Sequence, residues 1–129
     1  MLSFDEISTI QTVTSEMIFR VMALLSPNIE CITFLNGKQA LEYLKTAQTL
    51  PEMIFTDINM YLMDGKEFIS RLIEDERTKK IPTYAYTTPF MFSHLEPDIK
   101  NLFSGQIFKM VNFSDFEFNL RKIIKRNHI

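Results

Sequence analysis

The stretch "PEMIFTDINMYLMDG", Pro51 to Gly65, decides how this chain folds. Met53–Thr56 is continuously apolar or β-branched, the pattern of a strand buried on both faces in a parallel sheet. The run then delivers a carboxylate, Asp57, and leads through a Met-rich loop to Asp64-Gly65. A charge at the end of a buried strand is costly unless something nearby uses it. Either Asp57 is neutralised structurally, or it is the working group of a site.

Working outward, strand-like and helix-like periods alternate. Leu2–Phe4 is a short apolar start ending at Asp5-Glu6. Ile10, Val13, Met17, Val21 and Leu24 then recur at spacings of three and four, which predicts an amphipathic helix. "SPN" at 26–28 stops it, and Glu30–Leu35 alternates as a strand. Asn36-Gly37 turns the chain into a helix carrying Ala40, Leu41 and Leu44. After the Met53–Thr56 strand, Phe68, Ile69, Leu72 and Ile73 mark a third helix, with Asp64 read as a turn residue beside Gly65 rather than a ligand. Thr83–Thr87 is a fourth strand and Pro97–Phe103 a weaker helix. Gln106–Val111 is a fifth strand, and Ser114 is expected to cap a last helix with Phe116, Leu120, Ile123 and Ile124 facing inward. The pattern predicts an α/β fold: a single (βα)5 domain over residues 1–129, doubly wound around a five-stranded parallel sheet.

The 129 residues suit one domain, and 46% hydrophobic with 23% charged residues excludes disordered and fibrous classes. A formal net charge of −2 without a block of like charge gives no nucleic-acid or anionic-membrane surface. The basic end "RKIIKRNH" reads as a cationic last helical turn. The single cysteine, Cys31, rules out an intrachain disulfide and reads as a packed strand thiol in a reducing compartment. No apolar run is long enough to span a membrane, and the first residues lack the pattern of a signal peptide, so a cytoplasmic domain with no output domain is expected.

In such folds ligands bind beyond the carboxyl ends of the strands. The reading places there Asp5 and Glu6 after strand one, Asp57 after strand three, Thr87-Thr88 after strand four, and Lys109 near the end of strand five. Three carboxylates held together repel one another unless a cation shares them. Oxygen donors without His or Cys point to Mg²⁺, and His94 and His128 stand apart from the set. A carboxylate beside Mg²⁺ can attack phosphorus, with Lys109 and the metal stabilising the transferred group and Thr87 hydrogen-bonding it.

With these residues in view, the chain resembles the receiver domain of two-component response regulators, the CheY-like superfamily, over nearly its whole length. "IFTDINMYLMDGKEF" is similar to the family's strand-three signature, "IPTYAYTT" to its fourth strand and "GQIFK" to its fifth. The resemblance implies the sheet order 2-1-3-4-5 and a phosphoacceptor at Asp57. It implies Mg²⁺ held by Asp5, Glu6, Asp57 and the backbone carbonyl of Asn59, with Lys109 and Thr87 on the phosphoryl group. It also implies phosphotransfer from a histidine kinase or phosphotransfer protein, slow hydrolysis of the aspartyl phosphate, and output through contact with a downstream protein. The protein would then be a stand-alone receiver, monomeric or weakly dimeric, and a phosphoacceptor rather than an enzyme. The alternative is a degenerate receiver that works as a phosphorylation-independent interaction module.

Four departures bear on that choice. The acid pair is Asp5-Glu6 where the family has two aspartates; a register with Phe4 and Asp5 there would leave one acid. Counted from Glu6, the apolar face falls on Ile10, Val13, Met17 and Val21, which favours Asp5-Glu6. Met110 follows Lys109 where the family has a proline, and a trans peptide is expected there. Tyr61 replaces a loop proline, and Gln106 replaces an aromatic strand-five residue, reading alternatively as an edge residue facing water. A phosphatase using an aspartyl phosphate would need an acid at Asn59, and a flavin-binding fold would need a phosphate loop where "FDEISTIQ" puts acids. "PFMF", Pro89–Phe92, is either an exposed partner patch or a loop folded inward over a short helix.

Overall fold

The computed structural model describes residues 8–13, 29–34, 36–58, 63–109 and 111–127. Five strands form one parallel sheet: β1 (Ser8–Val13), β2 (Ile29–Phe34), β3 (Met53–Asp57), β4 (Thr83–Thr87) and β5 (Gly105–Phe108), in the order β2-β1-β3-β4-β5. Among the described residues, five helices accompany it. These are α1 (Gly37–Thr46), α2 (Gly65–Glu74), the short α3 (Pro89–Ser93) and α4 (Pro97–Lys100), and α5 (Phe113–Arg126). The fold class and strand order expected from the sequence are both found.

Alternation along the central strands divides the core between the two faces of the sheet. Met53, Phe55, Tyr84 and Ile107 pack with Phe116, Leu120, Ile123 and Ile124 of α5 on one face. Ile54 and Ala85 pack on the other with Ala40 and Leu44 of α1 and Phe68, Ile69 and Leu72 of α2. β3 is buried along Met53–Thr56, as a central parallel strand requires, and only Asp57 emerges.

The first strand corrects the sequence reading. It lies at Ser8–Val13, not Leu2–Phe4, and Ile10 and Val13 belong to it rather than to a helix. Their i, i+3 spacing mimicked a helical face, yet Thr9, Ile10, Thr12 and Val13 are all β-branched, a composition that suits a strand. Met17, Val21 and Leu24, the rest of that expected helix, lie outside the described residues.

Smaller boundaries shift for identifiable reasons. Asn36 caps α1, its Oδ1 accepting from Gln39 N at 2.9 Å. Asp64 caps α2 in the same way through Glu67 N at 2.9 Å, which makes it the turn residue expected. The last helix is capped by Asn112, not Ser114: Asn112 Oδ1 accepts from Asp115 N at 2.8 Å. That cap ends the fifth strand early, at Phe108 rather than Val111. The expected Pro97–Phe103 helix shortens to α4, because "PFMF" forms a separate helix, α3, with Thr88 as its cap. The "PFMF" residues divide between inward and outward positions. Phe92 packs against the α1–α2 core, whereas Phe90 is 68% exposed and stacks on His94, ring centroids 4.2 Å apart.

Candidate functional site

The carboxyl edge of the sheet brings together three of the expected residues. Asp57 ends β3, Thr87 ends β4, and Lys109 follows directly on β5. The Lys109 ammonium donates to Asp57 Oδ2, and the two side chains are 31% and 15% exposed. Thr87 is buried, and its carbonyl accepts from Lys109 N at 2.7 Å, so β4 hangs the lysine's backbone at the strand end.

The loop behind Asp57 is held close by a glycine. Gly65 N donates to the Ile58 carbonyl at 2.7 Å, and a Cβ at Gly65 would lie 2.6 Å from the Asp57 carbonyl oxygen and 2.7 Å from Ile58 Cα. Only a residue without a side chain allows α2 to begin that near the strand end. Thr56 contributes a further tie, its Oγ1 donating to the Asp57 carbonyl at 2.9 Å.

One residue escaped the sequence reading. Tyr86 pairs with Asp57 in the β3–β4 register, and its ring lies beneath Lys109, Nζ standing 5.0 Å from the ring centroid. The ring meets Phe116 of α5 edge-on at 5.9 Å. Burial, and secondarily the charge of Asp57, holds the Tyr86 phenol above its ordinary pKa of 10.0. The available signal was the aromatic immediately before Thr87 in "TYAYTT"; only the strand register reveals that it faces Asp57. Gln106 is exposed on the edge strand β5, in accord with the reading of a residue facing water.

The acids expected on strand one do not follow that strand. Asp5 and Glu6 lie before Ser8, outside the described residues. The residues next after β1 are Thr14, Ser15 and Glu16. Asn59, Tyr61 and Met110 also lie outside the described residues.

A divalent cation of the Mg²⁺ kind needs hard, preferably charged oxygen donors to replace part of its water shell. Here Asp57 already faces an ammonium. Among the described residues no group of three or more His, Cys, Asp or Glu side chains is placed to hold a metal ion, so the described donor set does not fit Mg²⁺.

Among the described residues, no helix is long and apolar enough to cross a membrane. No family model matches the chain. A curated relative, the probable methanogenesis regulatory protein FilR2 of Methanothrix harundinacea (strain 6Ac), is 28% identical over 92 residues. That match takes in 68% of this chain and only 59% of the relative's length. Among solved structures, the phosphorylated cyanobacterial phytochrome response regulator RcpA superposes with a TM-score of 0.74 at 22% identity, covering 92% of each chain. The Mn²⁺-bound response regulator Rcp1 gives 0.72 at 23% identity, again over 92% of each. The chemotaxis response regulator CheY4 of Vibrio cholerae gives 0.67 at 22% identity, covering 91% of this chain and 98% of that one. The chain has the fold of the CheY-like response-regulator receiver domains.

Proposed function

We propose that this chain is a receiver-type signalling module that acts through protein–protein contact, without a metal-dependent phosphoryl cycle on Asp57. One observation carries the reading: Asp57 is in contact with the Lys109 ammonium, and among the described residues no group of three or more His, Cys, Asp or Glu side chains is placed to hold a metal ion. Phosphoryl transfer to a carboxylate brings two anionic groups together, and with the metal's charge missing the barrier rises steeply. Output by contact is supported by Phe90, Phe113 and Phe118, large apolar side chains left exposed on α3 and α5. A cytoplasmic partner protein suits a domain with a single cysteine and, among the described residues, no helix fit to cross a membrane.

A second reading keeps the full cycle: Asp57 accepts a phosphoryl group from a histidine kinase or phosphotransfer protein, with Mg²⁺, and Thr87 and Lys109 hold it. The convergence of Asp57, Thr87 and Lys109 favours it. Incubation with Mg²⁺ and acetyl phosphate, followed by intact-mass measurement, separates the two. The first reading expects no adduct. An adduct that disappears in Asp57→Asn would overturn it and establish the second.

A further inference from the structure

Asn119, Lys122 and Arg126 recur at spacings of three and four along α5, so they share one stripe of that helix. The stripe walls a cleft of about 210 Å³, whose other wall is the edge strand β5 at Gly105 and Gln106. Tyr84 lines it from β4. The cleft sits toward the start of the strands, for Tyr84 lies three residues, about 10 Å, before Thr87 and the Asp57 edge. Tyr84 is 2% exposed, and its hydroxyl accepts from Asn127 Nδ2 at 3.0 Å, while no described residue accepts the hydroxyl's own proton. Gly105 admits the ring: a Cβ there would stand 3.0 Å from Tyr84 Cε2. Among the described residues Lys122 and Arg126 have no carboxylate partner, because Glu117 pairs with Arg121 at 2.9 Å instead. No Asp or Glu is among the described residues that line the cleft.

Like charges at i and i+4 repel, whereas the Arg71–Glu67 and Arg121–Glu117 pairs at that spacing attract. The helix dipole accounts for cations in a last turn. It does not account for two of them lining a cleft that also holds a buried phenol and two side-chain amides and has no acid. We propose that this cleft binds a small, multiply charged oxyanion of the phosphate or dicarboxylate class. Arg126 supplies a planar fork matched to two oxygens, and Lys122, its ammonium 5.4 Å from the Phe118 ring centroid, supplies a point charge. The amides of Asn119 and Gln106 and the Tyr84 hydroxyl add neutral donors. The volume is below the roughly 300–1,000 Å³ of sites for drug-sized ligands, which leaves a nucleotide too large. The site is separate from Asp57 and stands under either reading of the proposed function.

The test is isothermal titration of the full chain with inorganic phosphate and, separately, with malonate, at matched ionic strength. At least one probe is expected to bind once per chain with a dissociation constant of about 1 mM or tighter, and the one preferred names the class. Lys122→Gln/Arg126→Gln should weaken binding about tenfold or more, and added sodium chloride should weaken it in the wild type. Tyr84→Phe keeps the ring and should weaken it about threefold or more. Circular dichroism checks folding, and if Tyr84→Phe unfolds, the double variant, at exposed positions, decides alone. No saturable uptake of either probe through about 10 mM would overturn the proposal. So would a folded double variant that binds as the wild type does. Binding lost in Lys109→Met yet kept in the double variant would put the anion at the Asp57 site and overturn it as well.

Discussion

Lys109 reaches Asp57 by crossing a strand. The two residues are fifty-two positions apart, and β4 lies between β3, which carries the acid, and β5, which positions the base. The lysine ammonium lies over the ring of Tyr86, the residue of β4 paired with Asp57. One side chain therefore ties three strand ends together.

Removing that side chain takes the ammonium away from a carboxylate that is only 15% exposed. Lys109→Met keeps a flexible side chain of similar length and loses the charge. We expect it to destabilise the fold by about 1–3 kcal/mol, below the full cost of breaking a wholly buried pair because both groups retain some solvent. Urea unfolding measures this, and Lys109→Met/Asp57→Asn should recover part of the loss. A cost no larger for the single variant than for the double would remove the ion pair from the account.

Tyr86 gives the site an alkaline signature. Its phenol holds its proton to higher pH in the folded chain than in the unfolded one. The stability contributed is complete below pH 10.0, the ordinary value, and is lost as pH rises from there through the raised folded value. Between those two values the unfolded chain binds fewer protons than the native one, so unfolding free energy falls with pH. Denaturant midpoints followed from about pH 8 to about pH 11 should decline less steeply in Tyr86→Phe than in the wild type.

Gly65→Ala tests the close approach behind Asp57. The added methyl would meet backbone atoms at 2.6 and 2.7 Å, and backbone cannot swing aside as a side chain can. A loss of about 1–3 kcal/mol is expected, the usual cost of overpacking, read as a lowered thermal midpoint. An unchanged midpoint would show that the loop after β3 yields.

Arg77 is a threefold tie outside the site. From the turn after α2 its guanidinium donates to the carbonyls of Leu44 at 3.0 Å, Lys45 at 3.2 Å and Ala47 at 2.7 Å. These belong to the end of α1, where a helix leaves carbonyls without partners. Arg77→Ala should cost about 1 kcal/mol, and Arg77→Lys should rescue little of it, because a single ammonium cannot span three acceptors as the planar fork does. Comparison of the two variants by chemical denaturation checks the claim.

The sequence disclosed the site where each element carried its own signal. Asp57 closes an unbroken apolar run, Thr87 a Thr- and Tyr-rich one, and Lys109 follows "GQIF", so local pattern alone puts these three at the correct edge of the sheet. Strand one failed because two of its residues, Ile10 and Val13, share a spacing with helices, and because Asp5-Glu6 stood where acids were expected. A spacing of three carries less weight than four β-branched residues among six. Tyr86 was illegible for another reason: its role depends on which residue of β3 lies beside it, and pairing register is a property of two segments together.

The Arg77 clamp also divides the molecule mechanically. On its flank two ten-residue helices are fastened end to end by one side chain, while the connection between β4 and β5 carries helices of only five and four residues. Segments so short have almost no intrinsic helical stability and depend on the few side chains they lodge in the core. The β4–β5 connection is thus compliant where the α1–α2 pair is braced. Whatever perturbs Asp57 should be felt as motion around Phe90 long before it is felt at α1, and backbone amides of α3 and α4 should exchange with solvent ahead of those in α1 and α2.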